Sequence, residues 1–138
     1  MTGPSEVAVS RTVAAVDADL FDAVAERDSA QPDFWPQSST GADVEVAPEF
    51  VFGLMSSAST RWCSLNGRTD ALSYGYDEVT LGVAVRIGDT LTARYVLHPP
   101  ARPEPKIYGR VTVHNQDGDL VASARHTLWQ RIGTTPVP

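Results

Sequence analysis

The sequence predicts an α+β domain in which one long buried helix is wrapped by an antiparallel β-sheet. Three observations carry this. Residues 49–65 repeat apolar side chains at helical spacing. Residues 106–113 alternate apolar and polar side chains, the period of a strand with one buried face. Glycine and asparagine turns then separate further strand-length segments, and no second long helical period follows residue 66.

In chain order, Val7–Val13 is short and rich in β-branched residues, a first or edge strand. Asp17 stands as an N-cap before Leu20, Phe21 and Val24, which fall at helical spacing, so a helix is expected over Ala18–Glu26. Arg27–Glu45 holds Pro32, Pro36, Gly41 and two aromatics, Phe34 and Trp35. Loops of this length in compact domains are functional or disordered, and the aromatics favour a packed one.

The long helix follows over Glu49–Leu65, with Pro48 in the place of a first-turn proline. Val51, Leu54, Met55, Ala58 and Trp62 form its buried face, widened by Phe50, Phe52 and Leu65. Asn66-Gly67 stops it. Strands are expected at Leu72–Val85 (one or two), Thr90–Leu97, Lys106–Val113 and Leu120–Ile132. Ile107, Gly109, Val111 and Val113 share one face of the third of these. The loop Asn115–Asp119 carries Gly118 where a positive φ is needed. His98–Pro105 contains four prolines and cannot be a regular strand.

The chain of 138 residues is one domain, expected over residues 7–132, with residues 1–6 and 133–138 as flexible termini. A net charge of −6 with no basic stripe argues against nucleic acid. No stretch approaches the roughly 18 apolar residues of a membrane span. Residues 1–9 show neither a basic nor an apolar signal region, and the single Cys63 suits a reducing compartment, so a cytoplasmic protein is expected.

Three segments resemble the MaoC-like (R)-specific enoyl hydratases and 3-hydroxyacyl thioester dehydratases, a family with the hot-dog fold. Val85-Arg86-Ile87-Gly88-Asp89-Thr90-Leu91 is similar to its V-x-V-G-D-T-L turn. Val111–Val121, with Asn115-Gln116-Asp117-Gly118, is similar to its V-x-N-Q-x-G-x-x-V hairpin. Val46–Met55, with Ala47-Pro48 and Phe52-Gly53-Leu54-Met55, is similar to the start of its central helix. The resemblance implies a curved antiparallel sheet around that helix, a dimer, and an acyl thioester ligand on coenzyme A or an acyl-carrier protein. A homodimer is expected, with a heterodimer with another hot-dog protein as the alternative.

The resemblance also implies a catalytic segment of the form G-D-x-N-P-L-H. Here Arg27-Asp28-Ser29-Ala30-Gln31-Pro32-Asp33-Phe34 keeps the aspartate but places Asp33 or Phe34 where histidine belongs, and Phe52 replaces the histidine before Gly53. Asp28 becomes the candidate general base and Asp33 a second acid; read alone, each is an ordinary loop carboxylate. Gly53 is a candidate oxyanion donor or a small residue for close packing. Gln31, Phe34, Trp35, Phe52, Ser56 and Ser57 are candidate substrate contacts. No metal site and no cofactor are expected. His114 and His126, on strands joined by one hairpin, read as cross-strand neighbours in surface or interface packing.

The expected activity is hydration, dehydration or a related conjugate addition or cyclisation, in bacterial lipid or polyketide metabolism. The missing histidines fit one alternative, a non-catalytic subunit shaping the acyl tunnel of a heterodimeric dehydratase. The resemblance also allows an acyl-thioesterase, since the same fold supports thioester hydrolysis, and a pocket repurposed for a small apolar or polyketide-like ligand.

Overall fold

The computed structural model describes residues 3–24, 45–102 and 104–130. Strand β1 (Glu6–Thr12) leads to helix α1 (Ala15–Val24). After β2 (Glu45–Val46) comes α2 (Phe50–Leu65), then β3 (Leu72–Leu81), β4 (Val85–Arg86), β5 (Thr90–His98), β6 (Lys106–His114) and β7 (Leu120–Trp129). Five strands form one antiparallel sheet in the order β1-β5-β6-β7-β3, and β2 pairs with β4.

Helix α2 packs across β1, β5 and β6. Its phase is the expected one: Val51, Met55, Ala58 and Trp62 are buried. They meet Leu91, Ala93 and Tyr95 of β5, Val111 and Val113 of β6, and Ala122 and Ala124 of β7 in one core. Four residues assigned to the buried face differ: Phe50, Phe52 and Leu54 are only half-buried and Leu65 is 49 % exposed, because they lie on the flanks of the helix rather than over the sheet.

Helix α1 begins three residues before the sequence expectation. Asp17 is not its N-cap but sits in the first turn, where its carboxylate accepts a hydrogen bond from the Ala14 amide at 3.0 Å. This reach back to the residue before the helix is the acidic half of a capping box, which a sequence pattern confuses with the cap itself.

The two turn motifs converge in space. Asp89 Oδ2 accepts from the Arg86 amide at 2.8 Å, closing the Gly88 turn. The Gln116 side chain donates to Asp89 Oδ1 and accepts from the Thr90 amide, both at 3.0 Å. The Asn115 carboxamide oxygen accepts from the amides of Asp117 and Asp119, and Gly118 has the positive φ of 81° that this hairpin requires. The expected last strand ends at Trp129, and residues 131–132 lie outside the described part of the chain.

Candidate functional site

The lead into α2 spends its first amides on the backbone. Phe50, Val51 and Phe52 donate to the carbonyls of Ala47, Pro48 and Glu49. Glu49, the N-cap, makes no side-chain cap. Gly53 follows on the solvent side of the helix, and no atom lies within 4 Å of where a Cβ would stand. A cleft of 440 Å³ opens there between α1 and α2. Leu20, Phe21 and Val24 wall it on one side and Phe50, Leu54 and Ser57 on the other. Phe21 and Phe50 meet edge to face at 6.1 Å. At one end Arg11 bonds Asp17, and this hydrogen bond, with that from Ala14, holds the Asp17 carboxyl below its ordinary range.

A second, shallower depression of 580 Å³ runs along the outer side of α2 past Gly53, Ser56, Ser57 and Thr60. A third cavity, 260 Å³ and apolar, lies between the start of α2 and the β3–β4 connection, lined by Val46, Pro48, Val51, Leu81, Val85 and Val121. The structure thus brings Gly53 and Ser57 to one opening with apolar walls, and Ser56 beside it. Phe52 instead turns to the β3 side, its ring 5.8 Å from that of Tyr76. Asp28, Gln31, Asp33, Phe34 and Trp35 lie outside the described residues.

Sequence reading missed one polar constellation. His126 is fully buried, not at the surface. Its Nδ1 is 2.9 Å from the Tyr95 hydroxyl and its Nε2 is 2.8 Å from the Ser73 hydroxyl. Tyr76 stacks on the imidazole with ring centres 4.7 Å apart. Burial pushes the histidine down to about 4, so the ring is neutral at pH 7. Burial likewise raises the Tyr95 phenol.

His126 and His114 are not cross-strand neighbours. The register sets His126 opposite Gly109 and Tyr76, and His114 opposite Leu120. Among the described residues no cluster of metal-ligating side chains occurs. A signal for the buried histidine was present: His126 is in phase with Ala122, Ala124 and Leu128, which fill the inner face of β7. Tyr95 could not be assigned to it, because the ring crosses β6. Gly109 makes that crossing possible, since a Cβ there would stand 2.4 Å from the Tyr95 ring.

No protein-family model matches the sequence, and no curated protein does. Solved structures do match. The (R)-hydratase from A. caviae involved in PHA biosynthesis is 15% identical, with a TM-score of 0.72 over 95% of this chain and 98% of that one. R-hydratase PhaJ1 from Pseudomonas aeruginosa is 17% identical, with a TM-score of 0.71 over 100% and 90%. The fluoroacetyl-CoA thioesterase FlK is 18% identical, with a TM-score of 0.68 over 94% and 87%. The chain has the hot-dog fold that these proteins share. No helix of the described residues is long and apolar enough to cross a membrane.

Proposed function

We propose that the chain is an enzyme acting on an acyl thioester, of the hydratase or dehydratase type, working as a dimer in a reducing cytoplasm. The observation that supports it most is the apolar cleft between α1 and α2, open at Gly53, in a fold shared with two (R)-hydratases. An aliphatic chain suits those walls, since each buried methylene gains roughly 0.8 kcal/mol. In hydration, Asp28 takes a proton from water, the resulting hydroxide adds to the β-carbon, and Asp33 or a bound water returns a proton to the α-carbon. The Gly53 amide steadies the negative charge on the thioester oxygen. Gln31, Phe34, Trp35, Ser56 and Ser57 contact the ligand, whereas Phe52, turned toward Tyr76, does not line this cleft. Dehydration reverses these steps, and conjugate addition or cyclisation uses the same polarised carbonyl. The cycle needs no cofactor or metal.

A dimer is supported by β3. This edge strand is exposed along nearly its whole length and displays Leu72, Tyr74 and Leu81. An uncovered apolar edge is an aggregation hazard. A second copy, or another hot-dog chain, would cover it with the roughly 1,200 Å² of a stable interface. Light scattering at micromolar concentration should give twice the chain mass, and a monomer with no partner present contradicts this.

One observation favours a second reading. Positions 33, 34 and 52 hold no histidine, as in a subunit that shapes an acyl tunnel without catalysing. The purified lone chain decides between them when assayed on an enoyl thioester and on a saturated one. Hydration by the lone chain supports the first reading, and hydrolysis of the saturated ester supports a thioesterase. Activity only after co-expression with a second hot-dog protein supports the subunit.

A further inference from the structure

Strand β1 sends alternate side chains to opposite sides. Ser10 and Thr12 point outward and bond the hydroxyls of Thr92 and Thr90 on β5. Val7 and Val9 point inward, Val7 into the core and Val9 packed against it. Arg11 stands next in that inner row, where the pattern calls for another apolar side chain. It lines the cleft between α1 and α2 together with Gly53 and Ser57. Val9, two residues earlier, lines the outer depression along α2 with the same Gly53 and Ser57. The inner row of β1 therefore runs beside the Gly53 turn of α2, and Arg11 stands at the opening that receives the thioester oxygen.

The guanidinium is held in one orientation. Asp17 is 8 % exposed, and its carboxylate accepts from Arg11 Nε at 3.2 Å and from Arg11 Nη2. The Ala14 amide anchors the same carboxylate. This side-on fork leaves Arg11 Nη1 without a hydrogen bond among the described residues. The side chain stays 56 % exposed, so a ligand in the cleft can reach it. The other walls, Leu20, Phe21, Val24, Phe50 and Leu54, are apolar. A ligand with an apolar tail and one polar head is matched when its head lies at Arg11 and its tail against those walls. We infer that Arg11 donates a charge-assisted hydrogen bond to the carbonyl oxygen of the bound thioester, beside the Gly53 amide, and that Asp17 is the positioning residue that aims it. A positive charge at that oxygen favours the negative charge that builds there during proton transfer. This inference rests on the acyl-thioester reading.

The test compares hexanoyl-CoA with S-hexyl-CoA, in which a methylene replaces the carbonyl, by calorimetry on the intact protein. The wild type should prefer the thioester about tenfold, the lower end for a hydrogen bond from a charged donor. Arg11→Gln should remove most of that preference and leave thioether affinity unchanged. Arg11→Lys keeps a charge beside Asp17 but lacks the planar fork, so it should hold the unfolding midpoint and still lose the preference. With a carbon-13 label in the carbonyl of hexanoyl-CoA, the infrared stretch should lie lower on the wild type than on either variant. Equal binding of both ligands to the wild type, or a preference that survives both substitutions, overturns the inference alone. An equal loss for both ligands also overturns it, because the charge then serves the phosphates of the coenzyme. A lower unfolding midpoint with an unchanged preference does the same, because the pair is then only a staple between β1 and α1. Failure of both ligands to bind removes the acyl-thioester reading and the inference with it.

Discussion

Strands β6 and β3 both pair with β7, and they are built in opposite ways. Strand β6 keeps one register with β5 and is sheltered by β5 and α2, with Ile107, Gly109, Val111 and Val113 all buried on one face. Strand β3 breaks register twice, between Ser73 and Gly75 and between Asp77 and Thr80, and Glu78 takes a left-handed φ of 50° at the second break. Its outer face is held by charge: Arg125 Nε donates to Asp77 at 2.8 Å, and Arg110 donates to Glu78 at 2.9 Å. The contrast shows where the core is held. Strand β6 is paired on both sides and can hold the core, while β3 is paired on one side alone among the described residues. His126, on β7 between them, bonds across β6 to Tyr95 and directly to Ser73 of β3.

The comparison is broken most severely at Gly109. A Cβ at this position would lie 2.4 Å from Tyr95 Cζ, so Gly109→Ala must displace a ring that is packed on every side. The expected loss is about 3 kcal/mol, the upper part of the overpacking range. Urea unfolding followed by tryptophan fluorescence measures it, and Gly53→Ala, with open space around it, is the matched control.

Acid probes the same histidine from the other side. The imidazole titrates near 6.5 in the unfolded chain and at about 4 in the fold. As pH falls, the unfolded chain takes up the proton first. Stability from this group is therefore full above pH 6.5 and drains as pH falls from 6.5 to 4. The total is about 3 kcal/mol at 1.36 kcal/mol per pKa unit. Unfolding midpoints across that range should fall in the wild type and fall less steeply in His126→Gln. Parallel slopes would show that the ring is not protected from protonation.

The smallest effect belongs to the outer face of β3. Arg125 and Asp77 are both well exposed, and exposed ion pairs gain little over water. Arg125→Gln should leave the unfolding midpoint within the scatter of replicate titrations. A clear loss would mean that β3 contributes to stability as β6 does.

What the sequence made legible follows the same division. The phase of α2, the alternation of β6 and the two turns are local patterns, and each was readable from neighbouring residues. The Gln116 clamp on the Asp89–Thr90 turn explains why the two turn motifs occur together, although neither shows it alone. The Tyr95–Gly109–His126 crossing was not readable, because it depends on the register of three strands far apart in sequence. Strands β2 and β4 were missed as a pair because two residues each give no period. Of the candidate residues, Gly53 and Ser57 line one cleft, as the phase of the helix allows, whereas the bond between Ser73 and His126 carried no signal, since it joins residues 53 positions apart.

The central claim is that this fold holds an acyl thioester for proton-transfer chemistry, with Asp28 as the base. The measurement is the steady-state hydration of an enoyl thioester by the purified protein and by Asp28→Asn, followed by loss of the conjugated enoyl absorbance. The account predicts a measurable wild-type rate and a loss on the order of 10² to 10⁴ in the variant, the usual worth of a general base. A variant as active as the wild type would contradict it.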